Sequence, residues 1–185
     1  EDRRRDLARR MAVYAAMVKS LDESVGRVLD RLRERGLADN TVVVFASDNG
    51  GDPGVDRKSG QTVPVTNNAP LRSGKGSLYE GGVRVPLLVR WPGVAARGAE
   101  CREAVTLGDL FPTLLPPGAE ASGQAIDGMD LRPLLRDPAA RLERDALFFH
   151  YPHYYETTTP VSAVRAGDWK LLEYFEDGRL ELFHL

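Results

Sequence analysis

The sequence predicts an α/β fold, in which helices cover a buried, mostly parallel sheet and a small antiparallel sheet follows at the C-terminal end. The first indication is a long amphipathic helix that leads directly into an apolar strand. Neither that strand nor a second one near residue 88 alternates apolar and polar residues, which is typical of strands buried on both faces of a parallel sheet. Residues 146–185 differ, because short strands and turn residues dominate there.

The predicted helix runs from the first residues to Gly36. Its apolar residues are spaced alternately four and three apart, which places them on one helical face. They are Leu7, Met11, Tyr14, Val18, Leu21, Val25, Val28 and Leu32. Gly36 is suited to a left-handed C-cap. We expect this helix to pack on a sheet, although the same spacing also fits a coiled coil.

The strand at residues 42–46 ends in the segment SDNGG, which carries Asp48 and Asn49. In open α/β sheets, ligands bind beyond the carboxyl ends of the strands. A carboxylate and an amide oxygen are hard donors that suit Ca²⁺ or Mg²⁺. The same four residues, Asp-Asn-Gly-Gly, also favour a simple turn. From these residues alone, both a metal site and a turn remain open.

Lys75 lies between two glycines in a loop that leads to the second apolar strand, residues 85–91. A lysine in such a loop is a point charge that can reach an anionic oxygen. The spacing does not match a Walker A loop, because Gly76 stands where Ser or Thr is required. An ordinary solvent-exposed lysine is the alternative.

The chain after residue 115 changes in composition. We expect residues 1–115 to form part of the α/β domain, residues 116–145 to be a connection rich in Pro, Gly and Asp, and residues 146–185 to form the small antiparallel subdomain. Three strands are predicted in this subdomain, and the Asp177-Gly178 pair indicates a hairpin between the last two. Both ends look cut, so a fragment of a larger protein is expected.

The composition excludes several classes of function. A formal charge of -2 gives no general attraction to nucleic acid or to an anionic membrane. No apolar run approaches the roughly 20 residues needed to span a bilayer, and no leader segment is visible. Cys101 is the single cysteine, which excludes an internal disulfide and a cysteine-based zinc site. The oligomeric state cannot be read from these features.

Four blocks of the chain resemble the second half of a type I, formylglycine-dependent sulfatase. They are YAAMVKSLDESVGRVLDRL, TVVVFASDNGG, NAPLRSGKGSLYEGGVRVPLLVRWPG and IDGMDLRPLL, in the family's order and spacing. The resemblance implies an alkaline-phosphatase-like α/β domain followed by a small antiparallel domain. It also implies that Asp48 and Asn49 bind the active-site cation, usually Ca²⁺, and that Lys75 holds a sulfate oxygen and stabilises charge on the leaving group.

The family's nucleophile is a formylglycine, made from the Cys or Ser of a Cys/Ser-x-Pro-x-Arg motif that this chain lacks. Cys101 has neither the proline nor the arginine of that motif, and we interpret it as a structural thiol. The resemblance therefore implies that the nucleophile lies upstream and that this chain alone is inactive. It also implies an exported parent protein acting on a sulfated small molecule or glycan.

His150 and His153 lie among five aromatic residues in the segment FFHYPHYYETTTP. Because the C-terminal region of related sulfatases can line the substrate pocket, both histidines are candidates for contacting the organic part of the substrate. An aromatic patch with ordinary histidines is the alternative. Arg72 and Arg84, which flank the lysine loop, are expected to be structural ion-pair partners.

Two other functions remain open from the sequence. A phosphodiesterase or phosphonate hydrolase of the same superfamily would share the fold and the metal-dependent chemistry. A non-catalytic module could use the same loops to bind calcium or a sulfated glycan. An upstream nucleophile motif would distinguish an enzyme from such a module.

Overall fold

The computed structural model describes residues 2–52, 54, 65–116 and 125–185, without the side chain of Arg3. Most of the loop predicted at residues 50–68, and part of the connection at 116–145, lie outside these ranges. The helices are α1 (Asp2–Glu34), α2 (Glu80–Val83), α3 (Leu110–Leu114) and α4 (Arg132–Arg136), with 3-10 turns at Ala38–Asn40 and Leu107–Asp109. The strands are β1 (Val43–Ala46), β2 (Leu87–Arg90), β3 (Leu147–Tyr151), β4 (Val161–Ala166), β5 (Trp169–Tyr174) and β6 (Leu180–His184).

The end of α1 is the predicted left-handed cap. Gly36 has a φ of 66°. Its N–H donates to the Arg33 carbonyl at 3.0 Å, and the N–H of Leu37 donates to the Leu32 carbonyl at 2.9 Å. These two bonds form a Schellman motif, which satisfies carbonyl groups at the end of the helix.

The apolar stripe of α1 is exposed in this chain. Tyr14 is 43% exposed and Met17 is 65% exposed, and the other large apolar residues between Met11 and Leu21 lie between these values. The helix and its amphipathic pattern are as predicted. Among the described residues, no group covers this face.

Strands β1 and β2 pair in a two-stranded sheet. Both are shorter than predicted, and the expectation of burial on both faces is not met, because Phe45 is 40% exposed and Leu88 is 58% exposed. The physical reason is that no layer of described residues packs over these side chains and removes them from water.

The C-terminal strands form a four-stranded antiparallel sheet in the order β3-β4-β5-β6. The three strands expected from the sequence correspond to β4, β5 and β6. Strand β3 was not predicted; its residues belong to the aromatic segment that contains His150 and His153. The β5–β6 hairpin turns at Gly178, which has a φ of 65°.

The two faces of this sheet differ. Side chains that alternate along the strands place Val161, Ala163, Leu172 and Tyr174 on one face, where they are buried with Leu78 from the segment before α2. We call this the inner face. Phe148, His150 and Leu182 lie on the other, outer face, where Phe148 is 81% exposed and Leu182 is 63% exposed.

The chain divides into two compact units. One contains α1, Ala46–Pro86 and the antiparallel sheet, and the other contains Asp39–Phe45 and Leu87–Arg144. In the second unit, the fully buried carboxylate of Asp109 accepts hydrogen bonds from the backbone N–H groups of Thr106 and Met129 and from the Arg144 guanidinium. No helix of the described ranges is long and apolar enough to cross a membrane.

Burial opposes ionisation of Asp109, but its hydrogen bonds from Arg144, Thr106 and Met129 hold the pKa of the carboxyl below its ordinary value. A lowered pKa means that stability is present above the unfolded pKa of about 4 and is lost as pH falls through the folded pKa. We expect Asp109→Asn to lower the free energy of unfolding by about 3 kcal/mol at pH 7, because Arg144 loses its buried partner.

Urea denaturation of the complete protein at pH 7 and pH 3 checks this, with Asp137→Asn as the control. Asp137 is exposed, and its Oδ1 accepts one hydrogen bond from the described part of the chain, the N–H of Ala139, which asparagine retains. The effect of Asp109→Asn should shrink toward acid. An equal loss at both pH values would contradict the ionised pair.

Candidate active site

The loop after β1 presents oxygen atoms beyond the strand end. The Ser47 hydroxyl donates to the Asn49 carbonyl at 2.8 Å, and the Asn49 N–H donates to Asp48 Oδ1 at 2.9 Å. The Asn49 amide nitrogen donates to the Gly50 carbonyl at 3.1 Å. Within the described ranges, Asp48 Oδ2 and Asn49 Oδ1 accept no hydrogen bond. Two hard oxygen donors are therefore free on consecutive residues.

The loop of Lys75 is bonded to this first loop. The Lys75 N–H donates to the Gly51 carbonyl at 3.1 Å. The lysine is half-buried, and its Nζ has no hydrogen bond or ion pair with any residue that the structure describes. The backbone therefore brings the predicted metal ligands and the predicted sulfate-binding lysine into neighbouring loops.

The two loops approach so closely at Gly50 that no side chain fits there. The Gly50 N–H donates to the Gly82 carbonyl at 2.9 Å. A Cβ added at Gly50 would overlap the carbonyl group of Gly81, which is backbone and cannot rotate away. The paired glycines in DNGG and YEGG therefore permit backbone-to-backbone contact between the loops.

Asn68 joins the same loops through its side chain, a role that the sequence reasoning missed. Its Oδ1 accepts the Gly51 N–H at 3.1 Å, and its Nδ2 donates to the carbonyls of Gly51 and Ser73, both at 3.0 Å. Asn68 begins the NAPLRSGKG block, but an asparagine in a loop reads as an ordinary turn residue. Its partner at Gly51 is 17 positions away, beyond any local pattern.

The inner face of the antiparallel sheet supports the segment that follows the lysine. Lys170 is 2% exposed, and its Nζ donates to Glu80 Oε1 at 2.8 Å. Burial lowers the pKa of the Lys170 amine, while the hydrogen bond and charge of Glu80 oppose that shift. Glu80 is the first residue of α2, so this ion pair fixes the YEGG turn against β5.

Tyr79 adds a second polar connection. Its hydroxyl donates to Glu181 Oε2 at 2.6 Å and accepts from the Tyr174 hydroxyl at 2.9 Å. Burial, followed by these hydrogen bonds, raises the pKa of the Tyr79 hydroxyl well above its ordinary value. The Arg72 guanidinium lies 4.0 Å from the centre of the Tyr79 ring and 3.7 Å from Glu181.

Arg72 therefore has the structural ion-pair role expected from the sequence. Arg84 differs, because it is exposed and has no ion pair with a described residue.

The two histidines lie apart from each other. His150 is on the outer face of the sheet, opposite the face that packs on Leu78, and its Nδ1 is 2.8 Å from the Ser162 hydroxyl. His153 is exposed after β3, with its ring 5.2 Å from that of Tyr151. The structure thus places His150 away from the lysine loop, while His153 belongs to the segment that reaches it. A contact of either with substrate stays a prediction.

The arrangement has a definite chemical capacity. Asp48 and Asn49 offer oxygen ligands of the kind that hard divalent cations prefer. Asp48 Oδ2 and Asn49 Oδ1 fit such an ion, because neither atom accepts a hydrogen bond from a described residue. Lys75 adds an unpaired positive charge. No cluster of three or more His, Cys, Asp or Glu residues occurs in the described ranges.

Comparisons with known proteins identify the family of this chain. The family model described as Sulfatase matches residues 1–116, and the one described as N-sulphoglucosamine sulphohydrolase, C-terminal, matches residues 74–185. A protein from Formosa agariphila named Sulfatase is 38% identical over 94% of this chain and 33% of its own length. The chain belongs to the sulfatase family.

Solved structures show the same fold. The structure of BT4656 in complex with its substrate D-glucosamine-2-N,6-O-disulfate has a TM-score of 0.71 and 26% identity, covering 92% of this chain and 33% of that one. A phosphonate monoester hydrolase from Silicibacter pomeroyi has a TM-score of 0.65 and 27% identity, covering 94% and 34%. The chain spans about 23 to 33% of the length of the curated relatives it matches. The predicted alkaline-phosphatase-like fold is confirmed.

The bonds of Asn68 yield a prediction. Asn68→Asp removes both Nδ2 donors and places a carboxylate among the carbonyls of Gly51 and Ser73. We expect a loss of roughly 1–3 kcal/mol in the free energy of unfolding, together with reduced turnover. Thermal unfolding and activity of the complete protein provide the measurement.

The neighbouring residue supplies the control for Asn68. Among the described residues, Asn67 Oδ1 accepts a single hydrogen bond, from the Ala69 N–H at 2.8 Å, and aspartate retains that bond. Asn67→Asp should therefore resemble the unmodified protein. Equal effects of the two substitutions would show that Asn68 does not hold the loops together.

Proposed function

We propose that the parent protein hydrolyses sulfate esters with a divalent cation, and that this chain supplies two of the cation's ligands and a sulfate-binding lysine. The observation that carries the proposal is the backbone bond between the Lys75 N–H and the Gly51 carbonyl. It joins the loop of the unpaired lysine to the loop that presents Asp48 and Asn49.

Hydrolysis of a sulfate ester builds negative charge on the sulfate oxygens and on the leaving oxygen. Lys75 is positioned on a fixed loop, and its positive charge neutralises the negative charge that builds on these oxygens. Asp48 and Asn49 would hold the cation, which supplies further positive charge beside the sulfate group when bound. The nucleophile would be the upstream formylglycine that the family resemblance implies.

The cation is proposed to be Ca²⁺, because both ligand atoms are hard oxygens and the resemblance to the sulfatases implies Ca²⁺ as the usual ion. The substrate class is proposed to be aryl or carbohydrate sulfates. The fold is shared with BT4656, whose substrate is a disulfated glucosamine. Export of the parent protein is likewise proposed from the resemblance to the sulfatases.

A phosphonate or phosphate ester hydrolase is a second candidate. It is favoured by the similarity to the phosphonate monoester hydrolase. Both activities need a cation and a lysine near the transferred group, so the site alone does not separate them. Relative kcat/KM values for 4-nitrophenyl sulfate and for a phenylphosphonate ester, measured on the complete protein, would decide between them.

We expect Asp48→Ala to lower kcat/KM for 4-nitrophenyl sulfate by roughly 100-fold or more, because a charged ligand and its cation are lost together. Activity and bound calcium are measured on the same preparation. Asp22→Ala on the exposed part of α1 is the control. Full activity with unchanged calcium content would refute the metal assignment. Calcium binding without any turnover by the unmodified complete protein would favour the binding module.

We expect Lys75→Ala to lower kcat by about 100- to 1,000-fold with a smaller change in KM, because its charge matters most as the leaving oxygen becomes negative. Steady-state kinetics with aryl sulfates of different leaving-group pKa values check this. The loss should be greatest for the poorest leaving groups. A change confined to KM would instead mean that Lys75 only binds the ground state.

A further inference from the structure

A tight turn between β3 and β4 contacts the lysine loop. The N–H of Tyr155 donates to the Thr158 carbonyl at 3.0 Å, and the N–H of Thr158 donates to the Tyr155 carbonyl at 3.1 Å. These reciprocal bonds close the four residues 155–158, which we call the clasp turn. The closed backbone fixes the directions of the side chains that it presents.

Two of these side chains reach the loop of Lys75. The Thr157 hydroxyl donates to the Lys75 carbonyl at 3.0 Å across 82 positions of sequence. The Tyr155 ring lies against Gly76, where an added Cβ would overlap the ring carbons. Gly76 has a φ of 81°, in the left-handed region that favours glycine. Thr157 and Tyr155 are both half-buried.

The backbone of Lys75 is therefore held from two sides. Its N–H bonds to Gly51 in the loop of the metal ligands, and its carbonyl accepts from Thr157 in the clasp turn. With both peptide groups fixed, only the side-chain torsions of the lysine remain free. A small displacement of a charged catalytic group lowers the rate strongly, because electrostatic stabilisation depends on its position.

We propose that Thr157 is a positioning residue, which acts through the Lys75 carbonyl to place the lysine amine at the sulfate group. The inference rests on the proposed function of Lys75. The C-terminal sheet subdomain thereby contributes to the chemical step without having to contact the substrate.

The test uses Thr157→Val in the complete protein with 4-nitrophenyl sulfate. Valine keeps the shape of threonine and removes the hydroxyl donor. We expect kcat to fall about tenfold with KM changed less than about twofold. Thr157→Ser, which keeps the donor, should restore kcat to within about twofold of the original. Should Thr157→Val fail to fold, Thr157→Ala makes the same comparison.

The matched control is Thr159→Val, the same chemical change two positions away. The Thr159 side chain makes no hydrogen bond with a described residue, so kcat should not change. The decisive comparison repeats Thr157→Val in a Lys75→Ala background. If Thr157 acts through the lysine, the second substitution lowers kcat no further.

Each outcome has one meaning. An unchanged kcat for Thr157→Val, or an equal loss with and without Lys75, overturns the positioning role and leaves the proposed function intact. A normal kcat for Lys75→Ala overturns both. A tenfold loss that serine rescues and that disappears without Lys75 supports the inference.

Discussion

The site depends on a contact between two pieces of backbone. Gly50 lies so close to Gly81 and Gly82 that its N–H bonds directly to the Gly82 carbonyl, and the Gly51 carbonyl accepts the N–H of Lys75. Backbone positions are more rigid than side-chain positions, so this contact sets how far the oxygen donors of one loop lie from the lysine of the other. The amide of Asn68 reinforces the contact with three further bonds. The loops of the candidate site are thus held together by glycines, which carry no functional side chain.

The antiparallel sheet is the foundation of this arrangement. Its inner face holds the segment after the lysine through apolar packing around Leu78 and Leu172 and through the buried pair of Lys170 and Glu80. A buried ion pair contributes little net stability, but its geometry is specific, because misplacing either charge leaves the other unpaired. The outer face carries His150 and exposed apolar residues and has no part in these contacts. The inner face of the sheet therefore supports the candidate site, whereas the outer face makes none of the contacts described above.

Local patterns in the sequence were sufficient for the features that local chemistry determines. The left-handed cap at Gly36, the strands β4 to β6, the position of Asp48 at a strand end and that of Lys75 in a loop all follow from neighbouring residues. The pairing of Lys170 with Glu80 joins residues 90 positions apart, and no periodicity reports such a contact. The burial of β1 was predicted wrongly. An apolar run indicates that a strand needs covering layers, whereas the layers themselves depend on the rest of the fold. The missed strand β3 shows a similar limit, since its aromatic residues suit a strand but only the pairing with β4 establishes one.

The clasp turn and the inner face have a consequence for the order of events during protein synthesis. The ribosome releases the lysine loop before it has made the strands on which that loop rests. Thr157 follows Lys75 by 82 residues, and Lys170 follows Glu80 by 90. Until those later residues leave the exit tunnel, the Lys75 carbonyl lacks its hydrogen bond from Thr157, and Glu80 lacks the buried positive charge of Lys170. The nascent chain therefore gains a fully ordered lysine loop only after Thr157 and Lys170 have been made, so any anion it meets earlier encounters an unassembled site.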